Sequence, residues 1–172
     1  MSLAEQLQPL RSTLAENAAA AGARFRADGT LTGTTRVEIK AGSGHAFLVD
    51  EPRSLGGDDA AANPVEYALA ALGSCQAITY RVWAALLGLR FDRLEVAVEG
   101  DIDLRGFFGV DDGVRPGFQA IRVKVTVDGP ETAARYAELT EAVNRHCPVL
   151  DLFATPVPVA HELLIAAPAA TA

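Results

Sequence analysis

The 172-residue chain has two cysteines, one methionine, one tryptophan and only 6% aromatic residues. Two cysteines are too few for a disulfide scaffold, and without a CxxC pair neither a zinc ribbon nor a thioredoxin-type motif is available. Basic residues are also scarce, 15 against 22 acidic, for a net charge of −7. That sign opposes the phosphate-driven part of nucleic-acid affinity and argues against nucleic acid as a partner. No apolar run approaches the length of a membrane span, and the opening MSLAEQLQPLR places Glu5 and Gln6 where a leader would need basic and then apolar residues. The expectation is a cytoplasmic protein that does not enter a membrane. GxSxG and HExxH are missing too, and the GSG at 42–44 reads as a hairpin turn rather than a phosphate loop.

What is present is enough apolar material for one folded domain: 49% hydrophobic and 22% charged residues. Leu3, Leu7, Leu10 and Leu14 recur at helical spacing, so residues 1–24 read as an N-terminal amphipathic helix, interrupted or started by Pro9. From Arg26 to Val49 apolar and polar residues alternate around AGSG, which predicts a β-hairpin. EPRSLGGDDAAANP is a loop. In NPVEYALAALGSCQAITYRVWAALLGL, Asn63 is a good cap, Pro64 fits the first helical position and Glu66 completes a capping box, predicting a helix over 64–87 that ends at Gly88. Its apolar residues leave little polar surface, and small residues thin it around Cys75, which predicts a central helix buried nearly all round.

Period-two alternation predicts strands at 93–105 and 119–128, joined by a turn-rich connection. A helix then opens at Pro130, with Ala134, Ala137, Leu139 and Val143 on its stripe, and stops at Cys147-Pro148. A short apolar turn, VLDLF, and an edge strand through TPVPVAHELLI complete a domain over 25–165, and 166–172 read as a flexible tail. The order of elements describes an α+β fold, sheets packed on long helices.

Chemistry centres on Cys75 and Cys147, 72 residues apart. A thiol reacts as thiolate. Cys147 falls at the N-cap of the VLDLF turn, where free amides lower a thiol's pKa, whereas Cys75 lies mid-helix and needs a neighbouring cation; local physics favours Cys147 as the more acidic. Glu66 precedes Cys75 by nine residues, half a turn round and about 13–14 Å along an ideal helix, so within one helix the two cannot touch. A metal site from Cys75, Cys147, His45, His146 and His161 has no supporting spacing.

The segments DEPRSLGG, NPVEYALAALGSC and HCPVLDLFATPVPV resemble the OsmC/Ohr family of thiol-dependent peroxidases, over roughly residues 25–165. The resemblance implies an intertwined homodimer whose central helices are buried against antiparallel sheets of both chains. It implies that Cys75 attacks the peroxide and Cys147 resolves it as a disulfide, the reverse of the dipole argument. Arg53 is the candidate for the family's supporting arginine and Glu66 for the carboxylate holding it. In the better-characterised branches the Glu directly follows Asn-Pro; here Val65 takes that position, which resembles a less characterised OsmC-like branch. The implied function is reduction of organic hydroperoxides, or hydrogen peroxide, in oxidative-stress defence, with no cofactor and an external dithiol reductant. Leu69, Leu72, Phe107 and Phe108 are the expected apolar lining. The alternative is a non-catalytic ligand-binding or redox-sensing protein of the same fold.

Overall fold

Helix α2, Pro64–Leu87, organises the chain, and its ends are fixed by local chemistry. The Asn63 side chain accepts from the Glu66 N–H and the Glu66 carboxylate accepts from the Asn63 N–H, both at 2.9 Å. At the other end Gly88 adopts φ 64°, the left-handed conformation that closes a helix at little cost to glycine. The computed structural model describes residues 1–165, so the tail expected at 166–172 lies outside the described residues.

Before α2 come helix α1 (Leu3–Glu16) and strands β1 (Ala27–Leu31), β2 (Val37–Ala41) and β3 (Ala46–Val49). The strands form an antiparallel meander in the order β1-β2-β3, where the sequence predicted one hairpin. The AGSG turn joins β2 to β3 as expected. The second turn was hidden in Thr32–Arg36, where Thr32 N–H donates to the Arg36 carbonyl at 2.8 Å across residues with no strong turn dipeptide. Pro9 sits inside α1, and no residue of that helix is buried.

After α2, strands β4 (Arg93–Ile102) and β5 (Phe118–Asp128) pair antiparallel with Val96 opposite Val125 and Val98 opposite Val123. Between them lies a single helical turn, α3 (Leu104–Phe107), capped by Asp103. Helix α4 (Ala133–His146) starts after Thr132, whose hydroxyl accepts from the Arg135 N–H, and not at Pro130. Helix α5 (Pro148–Ala154) follows at once, with Cys147 as the residue between the two.

The core lies where α2 and α4 meet the β4–β5 sheet: Tyr80, Ala84, Leu89, Phe91, Leu139 and Val143 form one cluster, with Leu139 and Val143 fully buried. Burying a side chain such as Leu139 or Val143 contributes about 1.5–3 kcal/mol relative to exposure. Gly73 permits close packing on β4, since a Cβ there would stand 3.3 Å from Val98 Cγ2.

Two expectations fail here. Helix α2 is not buried all round in this chain: Leu72, Gln76, Thr79, Tyr80 and Ala84 are covered, while Ile78 on the opposite side is 65% exposed. The final edge strand does not form either: residues 156–165 belong to no helix or strand and are exposed. Pro156 and Pro158 remove two of the N–H donors a ladder would need. Among the described residues no helix is long and apolar enough to cross a membrane.

Candidate functional site

The α4–α5 junction carries Cys147 to the middle of α2. There the Cys147 thiol donates to Cys75 Sγ at 3.4 Å. Both sulfurs are free thiols, Cys147 buried to 2% exposure and Cys75 only partly covered. The sequence separates them by 72 positions, and the packing of α4 and α5 on α2 removes that separation.

The surroundings of Cys75 push its thiol in both directions. Burial raises its pKa most, the Val149 N–H lowers it as a hydrogen-bond donor, and the adjacent Cys147 raises it further. The Thr79 hydroxyl gives its one proton to the Cys75 carbonyl at 2.7 Å, one helical turn back. The balance leaves the thiol above its ordinary range. Cys147 does cap α5, yet its side chain makes no capping hydrogen bond. The first-turn amide that the dipole argument assigned to Cys147 instead faces Cys75, because the sharp α4–α5 turn aims the start of α5 at α2.

Glu66 is exposed and occupied with capping α2. Arg53 lies in a single 3-10 turn, Arg53–Leu55, with its side chain exposed and without a hydrogen bond or ion pair among the described residues. Neither residue bonds to the cysteine pair within this chain. Of the expected lining, Leu72 borders a cleft of about 470 Å³ whose aromatic walls are Phe118 and Phe153, and Leu69 borders a second cleft of about 480 Å³ against Val96 and Val98. Phe107 and Phe108 line neither; they stack edge-on with each other on the surface, 62% and 57% exposed.

Sequence reasoning missed Val149 and Thr79 as partners of Cys75. The Thr79 spacing of four was a usable signal; the Val149 amide depends on the α4–α5 turn and had none. Among the described residues no three His, Cys, Asp or Glu side chains gather at metal-binding distance.

The α+β chain thus brings two distant free thiols into contact against a central helix. A family model for OsmC-like proteins matches residues 56–162, and the chain belongs to that family. No curated protein matches it. Among solved structures it is similar to an OsmC-like protein from Mycoplasma pneumoniae, at 15% identity over 77% of this chain and 89% of that one, TM-score 0.66. It is also similar to an organic hydroperoxide resistance protein OsmC from Legionella pneumophila, at 16% identity over 77% and 90%, TM-score 0.60. A third is an organic hydroperoxide resistance protein from Elizabethkingia anophelis, at 21% identity over 76% and 87%, TM-score 0.56. At these identities the likeness establishes the shared fold.

Proposed function

We propose that the chain is a cysteine-based peroxidase acting on organic hydroperoxides through Cys75 and Cys147. The observation that carries this reading is the 3.4 Å approach of the two sulfurs beside the Val149 amide. Cys75 is the attacking sulfur because it is the more accessible of the two and receives that amide, which stabilises a thiolate. The thiolate attacks the O–O bond, gives Cys75 sulfenic acid and releases an alkoxide that takes a proton to become the alcohol. The Cys147 thiol then condenses with the sulfenic acid, forming the disulfide and water, and an external dithiol restores both thiols.

Burial, with the adjacent Cys147 adding to it, holds Cys75 above its ordinary pKa, so turnover at neutral pH needs a cation. Arg53 supplies it, from a loop whose guanidinium has no hydrogen bond or ion pair among the described residues, with Glu66 holding the arginine in an intertwined homodimer of a cytoplasmic protein. The exposed apolar side of α2 at Ile78 supports such a second subunit.

The raised Cys75 thiol also gives the second reading its footing. A non-catalytic redox sensor would oxidise slowly and once, without turnover. Incubating the protein with cumene hydroperoxide and an excess of dithiothreitol separates the two: repeated consumption, lost in Cys75→Ser, supports the peroxidase, and stoichiometric oxidation supports the sensor.

A further inference from the structure

A second buried polar centre lies outside the cysteine pair. Asp50, directly after β3, is 1% exposed, and a carboxylate so buried needs every lone pair satisfied. One oxygen accepts from the Thr35 hydroxyl at 2.6 Å and the Glu51 N–H at 2.9 Å; the other accepts from the Asp58 and Ala60 N–H groups, both at 3.1 Å. The Asp50 N–H donates to the Ala62 carbonyl at 3.3 Å. One residue thus ties the β1–β2 turn to both ends of the segment 51–62.

That segment has a conformation few sequences could hold. Gly56 and Asp59 have φ of 88° and 60°, and a Cβ on Gly57 would fall 1.8 Å from the Glu51 carbonyl oxygen. The Asp59 N–H closes the fold by donating to that same carbonyl at 3.1 Å. The loop carries Arg53 and ends at Asn63, the cap of the helix that holds Cys75.

We propose that Asp50 is a positioning residue for the thiol chemistry, its buried carboxylate setting the Arg53 loop against the head of the Cys75 helix. This rests on the role given to Arg53 above. The hydrogen bonds, that from Thr35 first, hold the Asp50 carboxyl below its usual range, so it is the four-acceptor anion at working pH. An asparagine would present an NH2 group to one pair of donors and leave that pair unsatisfied.

The test uses the full chain in a Cys147→Ser background, with Asp50→Asn, Arg53→Met and the double variant. Two quantities are read: the rate of Cys75 alkylation by iodoacetamide at neutral pH, and hydrogen-exchange protection of the Asp58 and Ala60 amides. Asp50→Asn loses protection at both amides and slows alkylation to the Arg53→Met level, about tenfold for a thiol whose pKa moves by one unit. The double variant is no slower than Arg53→Met. A merely structural Asp50 would lower stability without changing alkylation in the folded protein. Wild-type alkylation in Asp50→Asn despite lost protection overturns the inference while leaving the peroxidase reading intact, as does a double variant slower by the full factor of each. Wild-type alkylation in Arg53→Met overturns it by removing its premise, even where peroxide turnover persists. Should Asp50→Asn fail to fold, Thr35→Val, which deletes one of the four donors, carries the same comparison, with Thr35→Ser restoring the rate.

Discussion

Cys147 Sγ and Cys75 Sγ stand 3.4 Å apart, one sealed beneath the α4–α5 turn and the other partly open on α2. A disulfide needs about 2.05 Å between sulfurs, so the pair must close by about 1.4 Å, within reach of a side-chain rotation and a small shift of α5. One equivalent of peroxide therefore yields a bridge within the chain. Intact-mass spectrometry under non-reducing conditions is expected to show a loss of two hydrogens per chain without crosslinked dimers, and Cys147→Ser is expected to stop at a sulfenic acid trapped by dimedone.

Glu66 holds two roles that one pair of substitutions separates. Glu66→Gln keeps the capping box, because glutamine can serve at the same position, while Glu66→Ala breaks it and costs about 0.5–1 kcal/mol of stability. If Glu66 also holds Arg53, Glu66→Gln lowers kcat/KM at unchanged melting temperature. Equal activity of Glu66→Gln and wild type would confine Glu66 to capping.

The pH dependence of Cys75 follows from its environment. Burial raises its folded pKa, so the neutral thiol is favoured, and the associated stability is fully present below the unfolded value of about 8.5 and lost as pH rises through the folded one. In Arg53→Met the alkylation rate of Cys75 is expected to climb only in the alkaline range above that of a free cysteine. The wild type reaches its plateau at lower pH.

Much of this arrangement was legible in the residues, and the limits have physical causes. The bounds of α2 could be read because Asn63, Pro64, Glu66 and Gly88 each act through bonds within a few positions. The β4–β5 strands showed in their alternation, and Cys147 at the start of α5 showed in the Pro148 that follows it. The contact of Cys75 with Cys147 carries no periodicity and came only from the family resemblance. The Val149 amide beside Cys75 depends on a tertiary turn and left no signal in the residues. Asp50 was passed over inside VDEP because one aspartate before a proline-containing loop looks like ordinary turn chemistry, and only the fold shows it buried. The strand expected through TPVPVAHELLI was placed at an edge because of Pro156 and Pro158, and an edge position still needs a partner strand that the fold does not bring there.

The core gives a control for stability independent of the thiols. Leu139 is fully buried against Tyr80 and Val143, so Leu139→Ala is expected to cost about 2–5 kcal/mol in urea or thermal unfolding. The same variant, assayed well below its melting point, should retain most of its thiol reactivity.

Steady-state consumption of cumene hydroperoxide, with a dithiol in excess, tests the central claim most directly when wild type, Cys75→Ser and Cys147→Ser are compared at equal concentration. The account predicts many turnovers per chain for the wild type, none for Cys75→Ser, and for Cys147→Ser only the turnover that direct reduction of the Cys75 sulfenic acid by the dithiol allows, without an intrachain bridge. Undiminished turnover in Cys75→Ser, or a wild type that consumes no more than one peroxide per chain, would contradict it.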